Sequence, residues 1–268
     1  MVFVGDTEVA LVWVVLGVMF GAHFLFQLCL SGSGLSSGKT EFKGKQLTTK
    51  SLMGSYLIVS TLANAYSAYL GVVGFGLHGD AGDVDAAKAD LIYGYSGTAF
   101  TLASVQTGYQ VYNFVMCCVI EEFRTPIHLG HHAAVAILCY QTSTYNFLHY
   151  FCLYFAGIAE LSSVPLGVID GAKYLPEFGA AFPSFISGCK YAFAVLFLIV
   201  RVIVWPVMSY QFLSVGIPLA LGSNTDGRTL HSNVALWTYI LGQIFLTPLQ
   251  FYWFSLILKM ATKQLKSQ

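Results

Sequence analysis

Charge is what this chain has least of. Only 10% of its 268 residues are Asp, Glu, Lys or Arg, against about 25% in an ordinary soluble domain. Acidic and basic residues balance at thirteen each, and the absence of a basic patch argues against nucleic acid as a partner. Ordered cysteine spacing is missing too. Cys29, Cys117, Cys118, Cys139, Cys152 and Cys189 lie in or beside apolar runs with no CxxC, so free thiols are expected rather than disulfides. No internal repeat occurs, and the loops are too short for a soluble domain. The start carries Asp6 and Glu8 instead of a basic leader, so the run Val9 to Leu30 is expected to be a retained helix.

What fills the chain instead is apolar. Hydrophobic residues make up 56% of it and the mean hydropathy is +0.67. Runs at about 9–30, 52–77, 97–120, 127–141, 147–169, 189–221 and 233–258 predict seven helices, each able to cross about 30 Å of hydrocarbon except the short fourth. Pro206 and Pro218 predict a kink or break in the sixth. The expected fold is an all-α polytopic membrane bundle of about seven transmembrane helices. With seven crossings, Lys39, Lys43, Lys45, Lys50, Arg124, Lys173, Lys190, Lys259, Lys263 and Lys266 fall on one side, and only Lys88 and Arg228 on the other. That asymmetry predicts an N-terminus outside or in a lumen and a cytosolic C-terminus.

Against this background the polar residues inside the runs stand out. An ionisable group at mid-membrane costs roughly 2.5–3.5 kcal/mol on insertion scales. The chain nevertheless carries His128, His131 and His132 in IHLGHHAAVAILCY, Glu160 in FAGIAELSSVP and Arg201 in FLIVRVIVWP. Counting 1.5 Å per residue brings His131, His132, Gln110, Asn113, Glu160 and Arg201 to the cytosolic half of the bilayer, where they can line one cavity. Glu160 and Arg201 can equally form a buried pair that fixes helix packing.

Three roles stay open for the histidines. HxxHH on one helical face suits a metal, but a di-iron site needs several such clusters. His23, His78, His149 and His231 are solitary, so no metal is expected. Adjacent imidazoles also suit a base or nucleophile in acyl transfer. They suit hydrogen bonding to backbone or lipid headgroups as well. His23, alone in an apolar run, reads as a satisfied core residue. Gly108 and Tyr109 suit a close helix approach, and Trp13, Trp205, Trp237 and Trp253 suit belt or packing roles.

The order of TGYQVYN, the paired histidines of IHLGHH, AELSSVP, FLIVRVIVWP and LQFYWFSLILK resembles the TLC-domain family of multispanning membrane proteins, which includes the ceramide synthases. The resemblance runs from about Lys50 to Lys263 and is closest to the small members made of this domain alone. It implies residues 1–49 as a first helix and basic loop, 50–263 as the TLC domain and 264–268 as a cytosolic tail. It also implies membrane lipids as partners and an endomembrane location such as the endoplasmic reticulum. Members commonly carry Asp where Asn113 stands and His where Asn64 falls, and ceramide synthases have an acidic DxxD stretch where this chain reads AGIAELSSVPLGVID.

Those departures favour a protein that binds lipid or influences membrane lipid composition without ceramide synthase activity. Gln110, Asn113, Glu160 and Arg201 would meet the lipid, and no cofactor is expected. The alternatives are an acyltransferase taking acyl-CoA as substrate, with His131 or His132 catalytic and Lys43 attracting phosphate, and an accessory subunit among other membrane proteins.

Overall fold

Apolar runs of this length become helices because hydrocarbon offers the backbone no hydrogen-bond partner but itself. The structure, a computed structural model, describes residues 5–32, 38–42, 45–76, 90–222 and 232–265. Lys43, His78, Asp80, Asp83, Asp85, Lys88, Arg228, His231 and Lys266 lie outside the described residues, as does most of the turn at 31–38. In order come α1 (Gly5–Gly32), a hairpin of β1 (Lys39–Phe42) and β2 (Lys45–Thr49), α2 (Lys50–Gly74), α3 (Gly97–Val119) and α4 (Pro126–Tyr145). The chain continues with α5 (His149–Tyr174), a short α6 (Pro176–Ala181), α7 (Pro183–Leu221) and α8 (Ser232–Leu265). This is the all-α polytopic bundle the hydropathy predicts.

Five of these helices, α1, α2, α5, α7 and α8, are long and apolar enough to cross a membrane. The other two long rods, α3 and α4, have the length but less apolarity. Gln106, Thr107, Gln110 and Asn113 dilute α3, and the histidines with Gln141 and Thr142 dilute α4. Packing hides that polarity: Gln106 is fully buried, and Gln110 and Asn113 are 3% and 1% exposed. The fourth helix is also longer than its apolar run, reaching Tyr145, because Thr142 and Ser143 turn inward and Thr142 bonds the Tyr239 hydroxyl of α8.

Local signals set the helix ends. The Ser96 side chain accepts from Ala99 N at the start of α3, and Thr125 accepts from His128 N at the start of α4 with Pro126 behind it. Asn146 closes α4 in the left-handed conformation at φ 49°.

Two helices depart from regular geometry, and both depart at the predicted polar motifs. In α5 a π-helical stretch, Leu153–Gly157, runs into a 3₁₀ stretch, Ile158–Ser162, before Pro165. In α7 the stretch Phe197–Val204 is π-helical and ends just before Pro206. The turn in front of Pro206 is thus a wide one, and Pro218 lies inside the helix. Trp205 N reaches back five residues to Val200 O, which moves the helix past a proline that has no N–H and crowds the preceding turn.

Glycines bring the rods together. A Cβ on Gly71 of α2 would lie 2.5 Å from Ile158 N, and one on Gly157 would lie 2.6 Å from Gly71 Cα, so α2 and α5 cross backbone against backbone. A Cβ on Gly108 would meet Val15 of α1 at 2.7 Å, the close approach its sequence context predicts. The lone His23 is satisfied as expected: its Nδ1 meets the Tyr112 hydroxyl at 2.8 Å and Ser55 Oγ lies 3.4 Å from Nε2. All six cysteines are free; Cys117, Cys139 and Cys152 are buried, and Cys29 and Cys118 are exposed.

The hairpin is a part of the fold that hydropathy does not anticipate. It is held by Glu122, in the single 3₁₀ turn between α3 and α4. The hydroxyls of Thr40 and Thr48 and the backbone N–H of Thr48 all donate to its carboxylate. Phe123 packs edge-on to Tyr174, with centroids 5.6 Å apart, and Lys50 pairs with Glu177. The hairpin, this turn and the α5–α6 junction therefore gather at one end of the bundle. Lys50, Arg124 and Lys173 share that end.

Candidate functional site

The irregular stretches of α5 and α7 release backbone carbonyls, and polar side chains take them up. Arg201 is the centre of one group. Its Nε donates to Ala159 O at 3.2 Å and to Ser162 Oγ at 2.8 Å, and its Nη1 donates to Gln250 Oε1 at 3.2 Å. Its Nη2 donates to Ser163 Oγ at 3.1 Å and to Glu160 Oε1 at 3.4 Å. The pair is buried, with side chains 8% and 13% exposed. Buried charge is tolerated where it is both paired and hydrogen-bonded, and here both conditions hold.

A second group runs as a chain of amides. Gln106 Nε2 donates to Ala156 O at 3.0 Å, Gln110 Nε2 donates to Gln106 Oε1 at 2.9 Å, and Gln110 Oε1 lies 2.6 Å from His132 Nδ1. Direction in this chain is dictated from its far end. Ala156 O can only accept, so Gln106 must present its NH₂ there and its oxygen to Gln110. Gln110 in turn must present its oxygen to His132. The proton of a neutral His132 therefore sits on Nδ1, and Nε2 carries the lone pair.

His131 lies beside it, ring centroids 5.2 Å apart, with its edge against Trp253 at 5.2 Å and Arg201 within electrostatic reach. The buried His131 Nδ1 has no hydrogen-bond partner among the described residues. Asn113 Oδ1 accepts from Ser60 at 3.3 Å, and Tyr109 sits among Asn113, Ser60 and Asn64 with Glu160 nearby. His128 stands apart from this network; its Nδ1 meets Phe123 O at 3.2 Å.

The residues singled out from sequence thus converge. His132 joins Gln110, Glu160 joins Arg201, His131 packs between the His132 and Trp253 rings, and Asn113 bonds Ser60. Gln106, Ser162, Ser163 and Gln250 are additions. Each is an ordinary polar residue in a helix until a group on a neighbouring helix meets it. Trp253 sets its ring against His131. Among the described residues no three His, Cys, Asp or Glu side chains gather closely enough to hold a metal. Lys43, the proposed phosphate attractor, lies outside the described residues.

The model of the TLC domain matches residues 53–259, which contain every residue of this network. The chain belongs to the TLC-domain family. No curated protein and no solved structure matches it. The match runs from the first turn of α2 into α8, so the TLC domain here comprises α2 to α8, and α1 packs on its outside through Gly108 and Tyr112. The protein is a membrane TLC protein.

Proposed function

We propose that this TLC protein binds a membrane lipid at the paired histidines and so influences membrane lipid composition. The observation that carries this function is His131 Nδ1, a buried nitrogen without a partner among the described residues. Such an atom costs about 1–3 kcal/mol if left unpaired, and the polar end of a lipid lying among α3, α4, α7 and α8 would satisfy it. The Arg201 network works as a brace rather than as a headgroup clamp, since its donors are already engaged. A lumenal N-terminus and a cytosolic C-terminus accord with the distribution of basic residues, and residence in the endoplasmic reticulum accords with the family resemblance. The test is native mass spectrometry of the purified full chain. Wild type should carry lipid, and His131→Phe, which keeps the ring and removes the nitrogen, should carry less. A wild type free of lipid overturns the proposal.

A second function, acyl transfer from acyl-CoA, is favoured by the amide chain behind His132, because it leaves Nε2 as a base. The hydroxyl or amine acceptor would give its proton to Nε2 while attacking the thioester, and the thiolate of CoA would leave. Asn113 and Asn64 stand where the acidic and histidine partners of the resemblance are absent, which favours lipid binding over this chemistry. His132→Ala should abolish acyl transfer with folding intact; unchanged cellular lipids in that variant dispose of the idea. An accessory role beside other membrane proteins predicts instead that the chain co-purifies in a fixed stoichiometry.

A further inference from the structure

Away from the histidines, the end of the bundle that carries the hairpin holds an apolar cavity of about 390 Å³ between α1, α2, α5 and α6. Its walls include Leu30, Gly54, Ile58, Thr61, Val168 and Phe178. Glycine keeps it open: a Cβ on Gly54 would meet Leu30 Cδ1 at 2.9 Å, and one on Gly171 would meet Phe178 Cε1 at 3.4 Å. At its far end Leu62 is 58% exposed on the outside of the bundle. From Lys50 to Leu62 the wall of α2 rises about 18 Å, close to the ~15 Å of hydrocarbon in one leaflet.

The mouth is polar and carries both signs. Lys50 Nζ lies 2.5 Å from Glu177 Oε1, and Lys50 holds the Glu177 carboxyl below its ordinary range, so that carboxylate is ionised at neutral pH. Lys50 is also the first residue of α2, whose N-cap, Thr49, makes no side-chain cap. The Lys50 N–H donates to Gly38 O at 3.2 Å, and the N–H groups that follow it in the first turn add positive potential beside the ammonium.

We infer that this groove binds one acyl chain of a zwitterionic glycerophospholipid, with the phosphate at Lys50 and the start of α2 and the headgroup ammonium at Glu177. The existing ion pair defines the choice. A zwitterionic head replaces each half of the pair with an opposite charge, whereas a purely anionic head would place its phosphate beside Glu177 with nothing to offset the carboxylate. The site is separate from His131 and stands whether or not the histidines bind lipid.

The test uses the full chain in nanodiscs of equal phosphatidylcholine and phosphatidylglycerol, with retained lipid identified by native mass spectrometry after detergent transfer. Phosphatidylcholine should be retained. Lys50→Ala should reduce it by about 10-fold, the loss of one charged hydrogen bond, and Ile58→Trp or Gly171→Leu should displace it by filling the groove. Glu177→Gln, on an exposed residue, should shift retention toward phosphatidylglycerol without touching the fold. His131→Phe should leave this lipid in place. Retention of phosphatidylglycerol by wild type overturns the inference. Phosphatidylcholine retention indifferent both to Glu177→Gln and to the groove-filling variants does the same.

Discussion

Glu160→Gln keeps the outline of the side chain and removes its charge, leaving Arg201 buried among neutral acceptors. At the observed 3.4 Å and an effective dielectric constant near 20, the lost Coulomb attraction is about 5 kcal/mol. Desolvation of the carboxylate in the native pair offsets part of this. The four other acceptors of Arg201, at Ala159, Ser162, Ser163 and Gln250, remain in place. The expected destabilisation is therefore about 3 kcal/mol, the low end of the range for breaking a buried pair. Arg201→Met should cost more, about 4–5 kcal/mol, because it strands Glu160 and also strips Gln250 and both serines of their donor. The double variant should cost clearly less than the sum, since neither charge is then left alone. Thermal unfolding in detergent reads all three, with Glu160→Gln lowering Tm by on the order of 10 °C. A loss below about 1 kcal/mol for Glu160→Gln, or strict additivity in the cycle, would refute the claim that this pair braces α5 against α7.

The crossing of α2 and α5 makes a second prediction. Gly71→Ala puts a methyl within 2.5 Å of backbone, which cannot yield as a flexible side chain can, so the variant should lose at least about 2–3 kcal/mol by the same assay; wild-type stability would show that the helices separate freely. The Glu122 clasp predicts a pH dependence outside the membrane. Burial raises the carboxyl's pKa, but the hydroxyls of Thr40 and Thr48 and the Thr48 N–H outweigh it, so the folded value lies below the ordinary one. The clasp should therefore hold fully above the unfolded Glu value of about 4.3 and be lost as pH falls through the lower folded value. Hydrogen exchange at 45–49 should accelerate in that acid window, and Glu122→Gln should show the faster exchange already at neutral pH. Slow exchange in that variant at pH 7 would refute the clasp.

Much of this protein is legible along the chain, for one physical reason. Hydrocarbon penalises every unpaired polar group, so apolar runs must become helices and the few polar residues inside them must meet partners. His131, His132, Gln110, Glu160 and Arg201 stand out on those grounds, and the folded chain brings them together. The same rule makes the lone His23 a core residue, because one imidazole with a tyrosine and a serine in reach is satisfied.

Tertiary structure alone decided the rest. The π and 3₁₀ turns of α5 and α7 do not follow from helical periodicity, yet they place Ala156 O and Ala159 O for Gln106 and Arg201. From those carbonyls follow the direction of the amide chain and the tautomer of His132. Hydropathy ended α4 at residue 141, whereas inward-facing Thr142 carried it on to Tyr145. Glu122 reads as one acid in a loop until Thr40 and Thr48, far away in sequence, close on it. The groove between Lys50 and Glu177 belongs to no single segment, because its walls come from four helices. Composition determines that these helices lie in a membrane; the meeting of residues distant in sequence determines which polar groups they satisfy and where space is left.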